Sequence, residues 1–295
     1  MMGRVRPQKM TWRPAPGWPE APPGWQPPAG WQPPADWPAA PPDWQFWVPA
    51  GPRFPVRSSE LTRGDLVIET RPMMIALLAP WIISAVLTLA VHEISRASLT
   101  QLPTYDPHQP VANVVLGLIS YLPVAAVVPL ALLLLARTGQ RPADLGLTGA
   151  RWPDLGVAVG LAAAGLGCEF VLAVPFAQLK NSALVNTAGP LHVPVYYVIF
   201  GLSQSLITSI AEETAVSGYL LTRLDQLGWR PWPAFWLSLA LRTSYHVYYG
   251  LGVVLTLPLG YFLTRSFQKH GKLSRPILAH FLYDSVIFLI SIAVH

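Results

Sequence analysis

Long apolar runs separated by short polar links, from Pro72 to the end of the chain, constrain the fold more than any other feature of the sequence. A helix needs roughly 20 mostly apolar residues to cross the hydrocarbon core of a bilayer, which is about 30 Å thick. Runs near this length predict an all-α fold, a polytopic transmembrane helical bundle with about seven spans. The predicted spans are residues 72–91, 111–136, 154–174, 196–222, 232–250, 251–266 and 276–293.

The scarcity of charge supports this fold class. Only 12% of the residues are charged, against about 25% in an average soluble protein, so a soluble domain would lack polar groups to cover its surface. The chain has one cysteine, Cys168, which has no partner within the chain, and this excludes a secreted domain held by internal disulfides. We therefore expect the lipid bilayer to be the main environment of the chain.

The basic residues predict an orientation in that bilayer. With the amino terminus inside, 17 of the 20 Lys and Arg residues, Arg223 among them, lie in inner segments. The outer loops carry only Arg96 and Lys180, and Arg242 falls within a span. Inner loops of membrane proteins are enriched in Lys and Arg. The pattern predicts a multi-pass protein of the plasma or inner membrane with a cytoplasmic amino terminus. It also explains the net charge of +5 without a nucleic-acid partner.

The amino-terminal region has a different composition. Residues 1 to about 60 contain 16 of the 32 prolines and seven tryptophans, six or seven residues apart over most of the region. Proline fixes φ and removes a backbone donor, so we expect a disordered tail of polyproline II character. Two interpretations remain open: a low-complexity tether, or a docking site for an aromatic-lined partner or the membrane interface. The predicted organisation is a tail over 1–65, the first transmembrane helices over 66–140 and a catalytic transmembrane core over 141–295.

Few ionisable residues lie within the predicted spans, and most of them are clustered. A charge in the bilayer interior costs several kcal/mol, so such residues usually line a cavity and pair with one another. Once the inner segments, the tail and the span ends are set aside, seven such residues remain, and six of them fall in three segments, AEETAVSGYL, LRTSYHVYYG and AHFLYDSV. The seven residues are Glu169, Glu212, Glu213, Arg242, His246, His280 and Asp284.

The spacing within each segment predicts which side chains act together. Arg242 and His246 are four residues apart, as are His280 and Asp284, which places each pair on one face of a helix. A carboxylate can deprotonate water, an imidazole can orient it, and hydrogen-bond donors can stabilise an oxyanion. The same groups could instead bind a divalent metal such as zinc, or relay protons in a transporter.

The three segments resemble the motifs of the CPBP family, the CAAX-protease and bacteriocin-processing intramembrane endopeptidases. The family pattern is EExxxR, FxxxH and then HxxxN or HxxxD on successive core helices. Here the segments read EETAVS (212–217), RTSYH (242–246) and HFLYD (280–284). The resemblance covers roughly residues 140–290, including an LGL phrase at 145–147. It implies a peptidase that acts on a membrane-associated protein or peptide, with CAAX-type prenylated substrates suggested by the family name.

The resemblance also implies a role for each residue. Glu212 would be the general base that activates water, with Glu213 assisting it or anchoring the motif. His246 would hold the water beside Glu212, and His280 with Asp284 would polarise the scissile carbonyl. We expect that no cofactor is required, because no HExxH zinc motif is present. If a divalent metal is bound, its expected ligands are Glu212, His246, His280 and Asp284.

Two positions depart from the family pattern. The arginine that ends the first motif is Ser217 here, and the phenylalanine that opens the second is Arg242. We hypothesise that Arg242 replaces the missing guanidinium and neutralises Glu213, because two buried carboxylates without a cation would force at least one to take up a proton. The alternative is that Arg242 extends to water. An ionised aspartate accepts hydrogen bonds and repels an oxyanion. Asp284 must therefore be protonated to serve in the oxyanion site, or else it orients His280 or binds a metal.

Other functions remain open at this point. The chain could be a non-catalytic membrane scaffold or immunity protein that uses the same fold, an alternative that the Ser217 departure keeps open, or a proton-coupled transporter. Glu169 is expected to be solvated or structural, or to be a further cavity group. The tyrosines around His246, which are Tyr245, Tyr248 and Tyr249, are expected at the membrane interface or in a substrate groove.

Overall fold

The computed structural model describes residues 10–19, 25–28, 30–49, 54–56, 61–95, 111, 114, 115, 118, 119, 121–147, 151–176 and 195–293. The chain divides into two compact units, Met1–Pro52 and Arg53–His295. The loops with Arg96 and Lys180, parts of the first half of the 111–136 span and parts of the tail lie outside the described residues.

The second unit is helical. Its α-helices are α1 (Arg63–Ser95), α2 (Leu122–Arg137), α3 (Trp152–Phe176), α4 (Val195–Glu212), α5 (Leu221–Gln226), α6 (Pro231–Ser244), α7 (Leu257–His270) and α8 (Ser274–Ala293). A π-helix, Glu213–Leu220, joins α4 to α5, and two 3₁₀-helices, Val247–Tyr249 and Leu251–Thr256, join α6 to α7. The mostly helical architecture agrees with the predicted all-α class.

Helix packing brings the three motif segments together. Helix α8 packs against both α3 and α4, and α6 packs against α7. The π-helix contacts α2, α5, α6 and α7 and is buried throughout its length. The close approach of α4 to α8 depends on Gly201, where a Cβ atom would collide with the ring of Phe288.

The LGL phrase is fastened to the turn before α8. The backbone N–H of Leu273 donates to the carbonyl of Leu145 at 2.7 Å. Gly146 has a φ of +68°, and a Cβ atom there would lie 2.6 Å from the Cα of Lys272, so glycine is needed for both conformation and space. At the same turn, the buried carboxylate of Asp154 accepts from Lys272 at 3.1 Å and from Arg275 at 2.7 Å.

The helices agree only in part with the predicted spans. One helix among the described residues, over Trp152–Val174, is long and apolar enough to cross a bilayer, and Val124–Arg137 is a shorter apolar helix. Helices α6 and α7 have 14 residues each, or about 21 Å at 1.5 Å per residue. The predicted spans 232–250 and 251–266 are therefore wrong as continuous α-helices, because 3₁₀-helices occupy the chain between Val247 and Thr256.

The predicted orientation counts Arg223 among the inner-loop charges, which implies that its side chain is exposed to water. The structure shows instead that it is fully buried and donates to Glu69 of α1 at 2.6 Å and to the hydroxyl of Thr138 at 2.8 Å. Glu69 also pairs with Arg137 at 2.9 Å. The buried guanidinium thus ties α5, immediately after the π-helix, to α1 and to the end of α2.

The first unit contains regular structure that the sequence does not predict. Strands β1 (Met10–Trp12) and β2 (Trp47–Pro49) pair antiparallel, with Trp12 opposite Trp47. Between them, four tryptophans each close a turn by donating the backbone N–H to a carbonyl three residues earlier, at 3.0 Å. They are Trp18, Trp31, Trp37 and Trp44.

Aromatic rings contact one another in the described part of this unit. Trp12 stacks on Phe46 at a centroid distance of 4.8 Å and meets three further tryptophan rings edge-on at 5.6–5.8 Å. Trp18 is 9% exposed, and its indole N–H donates to the carbonyl of Pro38 at 2.6 Å. The repeated turns bring regularly spaced rings into contact, where they partly cover one another. The predicted domain boundaries, and the function of the tail, stay predictions.

We expect the change Trp12→Ala to open the first unit, because it removes the ring against which Phe46 and three tryptophans pack. The measurement is limited proteolysis within residues 1–52, together with near-ultraviolet circular dichroism. Trp152→Ala is the matched control, because Trp152 is 85% exposed. Equal proteolysis of both variants would show that the ring cluster does not hold this unit together.

Candidate active site

The predicted site residues converge where the start of the π-helix, the end of α6 and the middle of α8 meet. Glu212 ends α4 and Glu213 begins the π-helix, Arg242 lies in the last turn of α6, and His280 lies on α8. These four side chains are buried, with 0–5% exposure. π-Helical turns often occur at functional sites, and no feature of the sequence distinguishes this one from an ordinary helix.

Glu213 is the most tightly held group. Its two carboxylate oxygens accept a two-pronged ion pair from Arg242, with Nη1 to Oε1 at 2.6 Å and Nη2 to Oε2 at 2.9 Å. The Oγ of Ser217 donates to Oε2 at 2.7 Å, and Nδ1 of His280 lies 2.9 Å from Oε1. With both oxygens engaged and no exposed surface, Glu213 is suited to anchoring the site.

Arg242 takes the position expected from the hypothesis that it supplies the missing guanidinium. Besides holding Glu213, its Nη2 lies 3.3 Å from the hydroxyl of Ser217, the residue that stands where the family has arginine. It is 4% exposed and does not extend to water. Gly260 of α7 leaves the space, since a Cβ atom there would lie 3.0 Å from Cδ of Arg242 and 2.8 Å from Leu239.

Glu212 has different surroundings from its neighbour. Its Oε2 accepts a hydrogen bond of 2.7 Å from the hydroxyl of Tyr245 and lies 3.9 Å from Nη1 of Arg242. Tyr245 is 4% exposed, so the interpretation of this residue as an interface aromatic is wrong. The sequence signal that could have located it is its position beside His246 within the second motif.

His246 lies beyond the helix on which the spacing places it. Helix α6 ends at Ser244, and His246 precedes the first 3₁₀-helix. Its Nδ1 nevertheless lies 3.0 Å from the carbonyl of Arg242. Because a carbonyl oxygen only accepts, Nδ1 carries the proton, and Nε2 of the neutral ring is an acceptor. Its ring centroid lies 4.7 Å from that of Tyr245 and 6.1 Å from that of Tyr249.

His280 and Asp284 have the predicted four-residue relation on α8. The Nε2 of His280 lies 3.4 Å from Oδ2 of Asp284. Since Nδ1 of His280 donates to the carboxylate of Glu213, Nε2 can donate only when the ring is protonated. The Asp284 side chain is 30% exposed, more than those of Glu212, Glu213, Arg242 and His280. Asp284, His280 and His246 each interact electrostatically with Glu212.

Glu169 lies outside this group of contacts. It is half-buried on α3 and accepts a hydrogen bond from the hydroxyl of Tyr283, which is next to Asp284 on α8. This bond supports the expectation of a structural role, since the carboxylate is used to join two packed helices.

The arrangement of the carboxylates and histidines does not form a ready metal site. Among the described residues, no three His, Cys, Asp or Glu side chains are grouped so that they could hold a metal ion. Within the expected ligand set, Glu212 accepts from Tyr245, and Nδ1 of each histidine is directed to a protein oxygen.

Comparison with known families identifies the region that contains these contacts. Residues 194–286 match the family model described as Type II CAAX prenyl endopeptidase Rce1-like. The matched region is about a third of the chain and includes every candidate residue from Glu212 to Asp284. Comparisons with curated proteins and with solved structures gave no match. The family match supports the resemblance seen in the three motifs.

We expect the change Arg242→Gln to destabilise the protein by about 3–5 kcal/mol, because it leaves Glu213 as a buried carboxylate without its cation. The double change Arg242→Gln with Glu213→Gln should be less destabilised, since two amides can hydrogen-bond without a buried charge. Thermal unfolding in detergent measures both effects. Arg230→Gln is the control, because Arg230 is exposed at the start of the same helix. A double variant as unstable as the single one would contradict this account of Arg242.

Proposed function

We propose, taking this chain as a member of the CPBP family over its matched residues, that it is an intramembrane endopeptidase that hydrolyses a peptide bond of a membrane-associated protein or peptide. The family to which the match points is a membrane-embedded protease family. The observation that carries the proposal is the convergence of Glu212, Glu213, Arg242 and His280 in buried positions on separate helical segments, with the half-buried His246 held by the carbonyl of Arg242.

The proposed environment is a cell membrane, which the chain crosses several times with its amino terminus inside. Exposed apolar side chains support it: on α3, Phe170, Val171 and Val174 are 61–72% exposed, and Trp236 of α6 is 60% exposed. Large apolar side chains exposed in this number on a helix are typical of contact with lipid or a partner rather than with water. The biased distribution of Lys and Arg supports the orientation.

In the proposed mechanism, Glu212 and His246 activate a water molecule. Nε2 of His246 accepts one hydrogen bond from the water and orients it, while Glu212 removes the other proton as the oxygen attacks the scissile carbonyl carbon. The carbon–nitrogen bond of the resulting tetrahedral intermediate then breaks. The proton held by Glu212 passes to the leaving nitrogen, and the second water proton then leaves the new carboxylic acid for the amine, so that the products are a carboxylate and an ammonium group.

The oxyanion of that intermediate is assigned to His280 and Asp284. Nε2 of a protonated His280 is the donor, since its Nδ1 is already used on Glu213. The Asp284 carboxylate, 3.4 Å from Nε2, favours the protonated ring. An aspartate cannot itself donate to an oxyanion unless it carries a proton. In this proposal Asp284 therefore orients His280, and His280 is the donor.

The substrate reaches the site from the membrane, either laterally or from the inner leaflet. The family description suggests a prenylated CAAX substrate. A peptide supplied with and without its prenyl group therefore measures how far lipid recognition contributes to cleavage.

We expect Glu212→Gln to lower cleavage of a membrane-associated substrate by at least about 100-fold and His246→Ala by a similar factor, the usual size of general acid–base contributions. Purified full-length protein in detergent or vesicles is the material, and cleavage products are identified by mass spectrometry. Glu169→Gln is the matched control, because it neutralises a glutamate of α3 that is bonded to Tyr283.

Unchanged cleavage by both site variants would refute this mechanism. A wild-type protein that binds the substrate but never cuts it would favour the scaffold or immunity function. Substrate-independent proton movement across vesicles would favour the transporter.

We further propose that water activation needs no metal, since Tyr245, Arg242 and His280 already hold the carboxylates of the site. Incubation with a chelator, followed by metal analysis of the same sample, should leave the cleavage rate unchanged. A rate that falls on chelation and returns with zinc would instead identify a metallopeptidase with Glu212, His246, His280 and Asp284 as the candidate ligands.

A further inference from the structure

Tyr245 joins the two residues to which the proposed function assigns water activation. Its hydroxyl donates to Oε2 of Glu212 at 2.7 Å, and its ring centroid lies 4.7 Å from that of His246, with the planes tilted by 39°. Tyr245 and Glu212 are 4% and 5% exposed, so the hydrogen bond is shielded from water and is of the strong, charge-assisted kind.

The end of α6 sets the position of this tyrosine. Tyr245 is the residue that follows the last helical residue, with φ −85° and ψ 1°. The chain leaves the helix there, so Tyr245 and His246 are not constrained to the directions that a continuing helix would impose. One turn earlier, Arg242 points to Glu213. The end of one helix thereby supplies a separate partner to each of the two adjacent carboxylates.

Among the described residues, the hydroxyl of Tyr245 and the guanidinium of Arg242 approach the same oxygen of Glu212, the first as a hydrogen-bond donor and the second as a nearby charge. Oε2 accepts from Tyr245 and lies 3.9 Å from Nη1 of Arg242. A carboxylate held through one oxygen has a restricted rotation, and the lone pairs of its other oxygen keep a fixed direction. A general base needs this, because proton abstraction requires its oxygen within hydrogen-bond reach of the water.

We infer that Tyr245 is a positioning residue that holds Glu212 through Oε2 and so directs Oε1 to the water that it activates. This inference rests on the proposed function, since it concerns the geometry of the general base. The tyrosine itself takes no proton and forms no bond to the substrate.

The change Tyr245→Phe tests the inference, because it removes the hydroxyl and keeps the ring that packs on His246. We expect kcat to fall by about 10- to 100-fold, the rate equivalent of a charge-assisted hydrogen bond, with KM within about twofold of the wild-type value. Tyr261→Phe is the matched control. Tyr261 is 42% exposed on α7 and packs edge-on against Phe235, so loss of its hydroxyl should leave both constants unchanged.

The double variant Tyr245→Phe with Glu212→Gln separates positioning from a general effect on the fold. If the hydroxyl acts only through Glu212, it adds no further loss to the residual cleavage of Glu212→Gln. Multiplied losses, an unchanged kcat in Tyr245→Phe, or a change confined to KM would each overturn the inference while leaving the proposed function intact. A wild type that cleaves no substrate would overturn the proposed function and this inference together.

If Tyr245→Phe does not fold, thermal unfolding of the double variant tests the inference instead. The double variant has no buried carboxylate at position 212 that requires a donor, so it should fold if the hydroxyl serves that carboxylate. A double variant that also fails to fold would make Tyr245 an ordinary core residue and overturn the inference.

Discussion

The ion pair between Glu213 and Arg242 is the constraint on which the rest of the site depends. Neither charge could remain buried alone, because the cost of removing an unpaired charge from water exceeds what packing would return. The pair fixes the distance between the π-helix and α6, and His280 brings α8 to the same carboxylate at 2.9 Å. The neighbouring helix α7 accommodates the pair, because Gly260 has no side chain and leaves space for that of Arg242.

Both oxygens of Glu213 are engaged by hydrogen-bond partners, and the adjacent carboxylate of Glu212 has different partners. Consecutive helical residues point in directions about 100° apart, so Glu212 cannot share the full set of donors around Glu213. It receives one hydroxyl instead, from Tyr245. Two neighbouring residues of the same type thus have different environments, and in the proposed mechanism one anchors the site while the other is reactive, in the way that paired carboxylates in enzymes are separated by their surroundings. Because the two side chains point in different directions, exchanging the roles of Glu212 and Glu213 would require different partners around each of them.

The sequence predicted those features that follow from local periodicity. His280 and Asp284 are correctly placed because α8 continues without interruption past both residues. The same rule failed for His246, because α6 ends at Ser244 although no glycine or proline follows until Gly250. Arg223 was also misjudged, since a basic residue at the end of an apolar run has no local signal of its long-range partners.

The arginine of the first motif is absent here, and one is present in the second motif instead. The need of a buried carboxylate for a cation therefore predicts the contacts of Glu213 better than the motif position of the arginine does. A buried glutamate requires a cation within reach, but any helix that packs against it can supply one. Here Ser217 stands at the family arginine position, and Arg242 extends from the neighbouring helix to contact both Ser217 and Glu213. The hydroxyl fills the vacated space with a donor to the same carboxylate. A departure from the motif that suggested loss of activity therefore preserves the charge and the hydrogen bonds around Glu213.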